Sequence, residues 1–345
     1  MKRCTAVLAA LLAAVMLLSA CGKETPAVTT EAPATEAPEV TTEEITVGKP
    51  DDGFNHIDGK TVLFLGNSFV YYGGLVENRG QFDGPDKGIF YRVCQSFGDE
   101  VTVIDRTFGA HSMNDFTEKG CKCSSKHERE NKPYNGCPGM KTDLLKDIDL
   151  DKVDYVFISE AGQDNAYLLR SFTDISSRFP NKDTKFFYLS HSYTYTAGAT
   201  GLINSFPAMK EAGIGIVEWG KLVFDVMNGK TAVEGAAMTY SKDSFIVNKL
   251  DTHHPNPLSG YIASLMCYCA ITGRSAVGAD YSFMKDARAG NGSDDGKLAL
   301  ALTEFVDMYY NPGTTNYPEV FASAADMAGL QKLMDEYLGD LIIQK

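Results

Sequence analysis

The chain has 345 residues and a formal net charge of −13 at pH 7, with 45 acidic and 32 basic side chains. This excess of negative charge opposes binding to nucleic acid phosphates and to anionic lipid headgroups. The composition, 44% hydrophobic, is that of a globular protein, and the length suffices for one large domain with a single core or for two small ones.

The first 20 residues predict a secretory signal peptide. Lys2 and Arg3 precede an apolar run of 13 residues, 6–18, which is too short to span a bilayer comfortably as a helix. The small residues before Cys21 resemble a bacterial lipobox, and this resemblance implies cleavage before Cys21 and lipidation of its sulfur. The expected location is outside the cytoplasm, with the chain anchored to the bacterial cell membrane. An ordinary signal peptide with an incidental cysteine is the alternative.

Residues 22–50 consist mainly of threonine, glutamate, proline and alanine and contain few large hydrophobic side chains. A segment of this composition buries too little apolar surface to offset the entropy that ordering costs. We therefore predict that residues 21–50 form a flexible linker behind the lipidated cysteine, and that residues 51–345 form the folded domain.

Five apolar segments predict the strands of a parallel sheet. The first, TVLFLGNS at 61–68, is almost continuously apolar, as expected of a strand that is buried on both faces. The other four predicted strands lie at 100–108, 153–161, 184–192 and 213–220. Helices are predicted at 86–97, 200–212, 257–271, 295–310 and 323–343. The alternation of strands and helices predicts a three-layer α/β/α fold with a central parallel sheet of about five strands.

The stretch 112–140 fits neither periodicity and predicts a Cys-rich insertion after the second strand. Because an exported protein permits disulfides, we expect Cys137 to pair with Cys121 or Cys123 in this insertion. A zinc site formed by those three cysteines and His127 is the alternative, with irregular spacing. Once Cys4 and Cys21 are set aside, the sequence leaves open how six cysteines pair: Cys94, Cys121, Cys123, Cys137, Cys267 and Cys269.

Three residues with possible catalytic roles follow the first three predicted strands: Ser68, Gly109 and Gln163. Ligands of an open α/β sheet bind beyond the carboxyl ends of its strands, so these residues are expected at one edge. A serine nucleophile needs a neighbouring base, and the base needs a third group that orients it. Asp251 and His254 are three residues apart, so a single turn can join their side chains. Their loop follows the fifth strand and can reach the same edge.

Two motifs resemble those of the SGNH, or GDSL-type, hydrolase superfamily. LFLGNSFV at 63–70 resembles its first block, in the variant with Gly-Asn-Ser-Phe, and DTHHP at 251–255 resembles its last block, Asp-x-x-His-Pro. The resemblance covers the chain from about residue 60 to about residue 275, and it is loose between the two blocks. It implies a flavodoxin-like fold and a serine hydrolase mechanism without cofactor or metal.

The resemblance also implies the roles of individual residues. Ser68 would be the nucleophile, and His254 rather than His253 would be the base. Asp251 would orient His254 and stabilise its charged form.

The oxyanion hole implied by the resemblance combines the backbone N–H groups of Ser68 and Gly109 with an amide side chain after the third strand. The family often shows Gly-x-Asn-Asp there, whereas this chain reads EAGQDNAY. We expect Gln163 to supply the third donor. Asn165 is the competing choice, and we expect it instead to cap a helix that starts at Ala166.

Taken together, these features predict a secreted, membrane-tethered serine esterase that acts through an acyl-enzyme. The expected substrate, an O-acetylated carbohydrate, follows from the location and from the habits of the family rather than from any pocket residue. An acyltransferase acting on glycan and a non-catalytic lipoprotein that binds glycan or a partner are the alternatives. We expect Trp219 and the tyrosines to pack in the core or on the surface rather than to bind sugar. The oligomeric state is left open.

Overall fold

The computed structural model describes residues 53–76, 83–84, 88–109, 111–121, 141–160, 165–196, 200–246, 253–284 and 324–341. The predicted signal peptide, Cys21 and the linker to residue 50 lie outside these ranges. The predicted helix at 295–310 and most of the Cys-rich insertion also lie outside them. Within the described ranges, no helix is long and apolar enough to cross a membrane.

The centre of the domain is a parallel sheet. Its strands are β1 Thr61–Gly66, β3 Thr102–Thr107, β4 Tyr155–Ser159, β5 Lys185–Leu189 and β6 Gly215–Val217, with a two-residue strand, β2 Asp83–Gly84, at one edge. The spatial order is β2-β3-β1-β4-β5-β6, and β2 alone is antiparallel to its neighbour. The five parallel strands have the flavodoxin-like order, so the predicted α/β fold is confirmed.

Helices cover both faces of this sheet. They are α1 Ser68–Tyr71, α2 Gly88–Ser96, α3 Asn165–Ser176, α4 Thr200–Ile203, α5 Phe206–Glu211, α6 Trp219–Met227, α7 Pro257–Thr272 and α8 Ala324–Leu338. Short 3₁₀ turns occupy Met113–Phe116, Leu150–Lys152, Ser192–Tyr195, Lys242–Ser244 and Gly339–Leu341. The helix predicted at 200–212 is divided into α4 and α5, and Pro207 lies in the first turn of α5, where its missing N–H costs no hydrogen bond.

Strand β1 supplies side chains to two separate cores. Val62 and Phe64 belong to the core beneath α2, α6, α7 and α8. Leu63 and Leu65 point to the opposite face and belong to the core beneath α3, α4 and α5. Because side chains alternate along a strand, a strand between two helical layers must be apolar at nearly every position. This requirement explains the continuous apolar run that precedes Ser68.

Helix α7 is buried on all sides, with every residue from Leu258 to Thr272 buried. A helix that is apolar all round belongs in a core, where other elements surround it. The left-handed Gly273 ends it, and its N–H donates to the carbonyl of Cys269 at 2.7 Å. Helix α7 is therefore a fixed central element, against which α2, α6 and α8 pack.

The segment after α1 touches α7 backbone to backbone. A Cβ atom placed on Gly260 would lie 1.8 Å from the carbonyl oxygen of Gly73, and one placed on Gly73 would lie 2.9 Å from Cα of Gly260. No side chain fits between these backbones at that separation. The two glycines therefore set the distance between α7 and the chain that follows β1.

We predict that Gly260→Ala lowers the free energy of unfolding by about 2 kcal/mol, because the added methyl group overlaps the Gly73 carbonyl. Helix propensity alone predicts the reverse, a gain of about 1 kcal/mol for alanine over glycine. Urea denaturation followed by circular dichroism measures the difference.

Ser264→Ala is the matched control on the same helix. The Ser264 hydroxyl is buried and has no hydrogen-bond partner within the described part of the chain, so its removal should change stability by less than about 0.5 kcal/mol. A Gly260→Ala protein as stable as the wild type would show that the backbone contact does not constrain α7.

Candidate active site

Ser68 stands at a tight corner between β1 and α1. It is half-buried, is the first residue of α1, and lies two positions after the last residue of β1. The Asn67 side chain caps α1, because its Oδ1 accepts the Phe69 N–H at 3.1 Å. A Cβ atom on Gly66 would lie 3.0 Å from Cγ2 of Val70 and 3.2 Å from Cβ of Ser159, so β1 reaches this corner close to the end of β4.

The structure brings His254 to Ser68 from 186 positions further along the chain. Nε2 of His254 lies 2.9 Å from Oγ of Ser68, within hydrogen-bonding distance. The half-buried imidazole stacks on the Tyr72 ring, with centroids 4.1 Å apart and planes inclined by 24°. The segment Ser68–Tyr72 thus supplies both the hydroxyl that His254 contacts and an aromatic surface that orients its ring.

Asn256 holds the loop that carries His254. Its Nδ2 donates to the carbonyl of Ser244 at 2.8 Å, and its Oδ1 accepts the Ser259 N–H at 3.1 Å as the cap of α7. Pro255 forms an antiparallel bridge with Ile246. No role for Asn256 was predicted from the sequence. Asparagine followed by proline before an apolar run is a common helix start, so the cap could have been predicted. The hydrogen bond to Ser244, 12 positions earlier, has no signature in the local sequence.

Two backbone amides at this edge are available to an oxyanion. The β1–β3 register pairs Gly66 with Thr107, and Phe108 N–H donates to the Gly66 carbonyl at 3.0 Å. Ser68 and Gly109 are therefore equivalent positions, each two residues beyond the paired ends. Within the described residues, neither Ser68 N–H nor Gly109 N–H donates a hydrogen bond. Such amides can stabilise the negative charge that develops on a carbonyl oxygen under attack.

Two of the predicted site residues, Asp251 and Gln163, lie outside the described residues, and their roles stay predictions. Helix α3 begins at Asn165, one residue earlier than predicted, so Asn165 is the first helical residue by this boundary rather than the residue before it. The choice between Gln163 and Asn165 as third donor also stays open.

A buried bridge connects the Ser68 corner with the loop that carries Gly109. Nδ2 of Asn67 donates to the His111 carbonyl at 3.0 Å. Nδ1 of His111 lies 2.9 Å from the Gly109 carbonyl oxygen; since a carbonyl only accepts, this nitrogen carries the proton. Asn67 and His111 are both buried. The bridge holds the backbone that follows the Gly109 amide, and the bond from Phe108 N–H to the Gly66 carbonyl holds the backbone before it. No such role for Asn67 or His111 was predicted from the sequence.

Cys121 lies behind this bridge. Its sulfur is 3.2 Å from Nε2 of His111, and the residue is buried. Cys123, Cys137 and His127, which the predicted disulfide and the alternative zinc site require, lie outside the described residues. Among the described residues, no group of three or more His, Cys, Asp or Glu side chains could hold a metal ion.

His191 lies beneath the segment Ser68–Tyr72 and is fully buried. Its ring stacks on Phe69 with centroids 3.7 Å apart and planes only 4° from parallel, and its Nε2 lies 3.0 Å from the Glu160 carbonyl oxygen. The pKa of His191 is lowered to about 3, mainly because the ring is buried; the hydrogen bond to the Glu160 carbonyl opposes this lowering, and nearby His253 and His254 contribute to it. The His191 ring that packs beneath Phe69 is therefore neutral at physiological pH.

Comparisons of this chain with protein-family models, with curated proteins and with solved structures found no match. The likeness to SGNH hydrolases rests on the two motifs around Ser68 and His254.

We predict that Asn67→Asp lowers the free energy of unfolding by about 2 kcal/mol at pH 8. An aspartate keeps the acceptor for Phe69 N–H but cannot donate to the buried His111 carbonyl, which loses its partner and faces a carboxylate. At pH 5 the buried carboxyl is more often protonated and can donate again, so the loss of unfolding free energy in Asn67→Asp relative to the wild type should be smaller. Urea denaturation at both pH values measures this.

Asn67→Ala is the control, since its loss of unfolding free energy should not depend on pH. An equal loss for Asn67→Asp at both pH values would contradict the hydrogen bond from Asn67 to the His111 carbonyl.

We predict that His191 makes the fold acid-sensitive. Its pKa in the folded state, about 3, lies below the ordinary value of 6.5, so the unfolded chain binds the extra proton between these limits. The contribution of His191 to stability is complete above pH 6.5 and is lost at roughly 1.4 kcal/mol per pH unit below it. His191→Gln keeps a donor for the Glu160 carbonyl and does not titrate. Unfolding free energies measured from pH 7.5 to pH 4.5 should fall less steeply in this variant, and parallel curves would show that His191 does not titrate on unfolding.

Proposed function

We propose that this protein is a serine esterase that removes acyl groups, O-acetyl groups in particular, from extracellular carbohydrate through an acyl-enzyme. The observation that supports this proposal best is the 2.9 Å contact between Oγ of Ser68 and Nε2 of His254. A nucleophile within hydrogen-bonding distance of a base, at the carboxyl edge of a parallel sheet, is the arrangement that acyl transfer requires.

In the first step, His254 Nε2 takes the Ser68 hydroxyl proton while Oγ attacks the ester carbonyl carbon. The carbonyl π electrons move to oxygen and form a tetrahedral oxyanion, which the N–H groups of Ser68 and Gly109 stabilise. In this proposal Gln163 adds a third donor, and Asp251 orients His254 and stabilises its imidazolium form.

In the second step, the tetrahedral intermediate collapses and the bond to the alcohol breaks. His254 returns its proton to the departing alkoxide, and the acyl group stays on Ser68. Water then attacks the acyl-enzyme with His254 again as the base, which releases the carboxylic acid and restores the Ser68 hydroxyl. Atoms and charge balance over the cycle without any cofactor.

The location of the substrate is part of the proposal. The signal-like residues 1–20 and the lipobox-like Cys21 support a chain that works outside the cytoplasm, tethered to the membrane. The negative net charge of the chain favours a neutral substrate over a nucleic acid or an anionic lipid. An ester of a neutral carbohydrate meets both conditions.

We predict that the purified protein hydrolyses p-nitrophenyl acetate and releases free acetate. Ser68→Ala and His254→Ala should each lower kcat by at least about 10³-fold, because nucleophile and base act as one unit. The double variant should be no worse than either single one. Absorbance at 400 nm and an acetate assay measure the two products.

Labelling with a fluorophosphonate tests the nucleophile directly, since the reagent should attach to the peptide that contains Ser68. Ser96→Ala is the control: Ser96 is an exposed serine at the end of α2 whose hydroxyl donates to the Val93 carbonyl, and its loss should leave activity and labelling unchanged. Labelling of another serine, or full activity in Ser68→Ala, would refute the assignment. Acetate that appears only when a sugar acceptor is absent would favour acyl transfer.

A further inference from the structure

Tyr193 is exposed next to the candidate active site. The residue is 43% exposed. Among the described residues, Val277 is the only other large hydrophobic residue that is exposed to this extent. Trp219, by contrast, is only 3% exposed and belongs to the core, as predicted for it. An exposed aromatic ring near a nucleophile differs from the packing role that the sequence analysis expected for the tyrosines, and it needs a separate explanation.

The Tyr193 ring continues a layer of aromatic rings that reaches the nucleophile. It is inclined by 14° to Phe69, the residue after Ser68, with centroids 6.1 Å apart, and by 13° to His191. His253 forms a second wall, 5.3 Å from Tyr193 and tilted by 47° to it. The His253 ring lies 4.3 Å from that of the base, His254. A half-buried histidine thus lies beside the base, and an exposed tyrosine lies beside that histidine.

The backbone of Tyr193 is held rigidly. The Thr194 N–H donates to the His191 carbonyl at 2.9 Å, and both the N–H and the hydroxyl of Thr196 donate to the Tyr193 carbonyl, at 3.1 and 2.7 Å. Helix α6 closes on this turn from below, since a Cβ atom on Gly220 would lie 2.1 Å from the carbonyl carbon of His191. A ring on so fixed a turn loses little conformational entropy when a ligand stacks on it.

We propose that Tyr193 and His253 form the binding site for the alcohol part of the ester, and that this alcohol is a sugar ring. This inference rests on the proposed esterase function and adds the residues that select the substrate. A sugar ring has one face of C–H groups that packs on an aromatic ring and an edge of hydroxyl groups that needs polar partners. The Tyr193 ring offers the flat face and its hydroxyl offers hydrogen bonds, while the His253 ring forms a second wall beside it.

The position of the two rings agrees with the chemistry of the leaving group. His254 must deliver its proton to the alcohol oxygen, so the alcohol lies on the His254 side of Ser68. His253 lies next to His254 and Tyr193 lies next to His253, whereas the Gly109 amide belongs to the β3 side of the sheet edge. The rings therefore contact the alcohol rather than the acyl group.

Kinetics of the full-length protein with two esters test the proposal: an O-acetylated methyl glycoside and ethyl acetate, whose alcohol has no ring. Tyr193→Ala should raise KM for the glycoside about five- to tenfold and leave kcat/KM for ethyl acetate within twofold of the wild type. Tyr193→Phe keeps the face and should recover most of the affinity. Val277→Ala is the control, because Val277, 52% exposed, follows the far end of α7 and should affect neither ester.

The Ser68→Ala protein separates this inference from the esterase proposal. Calorimetric titration with the deacetylated methyl glycoside should give measurable binding in Ser68→Ala and a several-fold weaker affinity in Ser68→Ala/Tyr193→Ala, whether or not the wild type hydrolyses esters. An equal decrease in kcat/KM for both esters in Tyr193→Ala would overturn the inference. So would unchanged kinetics for the glycoside, or a selective loss with acetylcholine instead, which would mean that the rings hold a cation.

Discussion

The contact between Gly73 and Gly260 determines whether the two halves of the site meet. Ser68 lies five residues before Gly73, and His254 lies six residues before Gly260. A Cβ atom at Gly260 would stand 1.8 Å from the Gly73 carbonyl, so any other side chain must push these segments apart. The hydrogen bond from Ser68 to His254 tolerates changes of only a few tenths of an ångström. A close contact between two backbones, remote from the chemistry, thus controls its geometry.

The opposite side of Ser68 is held by polar bonds. Asn67 caps α1 with its oxygen and reaches the His111 carbonyl with its nitrogen, and His111 in turn holds the Gly109 carbonyl. The first contact therefore positions His254, which is the base in the proposed function, and the second positions the Gly109 amide, the proposed oxyanion donor. An aspartate could cap α1 as well as Asn67 does, but an ionised one could not donate. The need both to accept from Phe69 N–H and to donate to the His111 carbonyl explains why this chain has asparagine at position 67.

The sequence predicted the parallel sheet well because strands between two helical layers must be continuously apolar, as β1 is. It missed α6, because the fifth predicted strand was extended through Trp219 and Gly220, whereas β6 ends at Val217. Helix α6 begins at Trp219 instead, and its second residue, Gly220, lets the helix backbone approach that of His191. No local pattern records such a contact.

The candidate site was predictable to a similar degree. Ser68 and His254 were found from motif spacing, and the structure places them in contact. The bridge from Asn67 to His111, the bond from Asn256 to Ser244 and the exposure of Tyr193 were not found. The two hydrogen bonds depend on partners that are distant in the sequence, and the exposure of Tyr193 depends on how the described residues pack around it. Only the tertiary structure gives this information. The predictions for Cys21, Gln163 and Asp251 remain predictions.

The 186 positions between Ser68 and His254 have a consequence for the order in which this protein becomes reactive. The corner at Ser68 forms from local sequence, whereas its base arrives only when α7 has docked against α2 and against Gly73. Contacts of such long range form late in folding, because closing the loop costs entropy before any contact repays it. A nascent chain that has not yet folded α7 has Ser68 without His254 beside it. If the proposed function holds, the protein is inert until its fold is complete, and no amino-terminal fragment that lacks α7 can act on an ester.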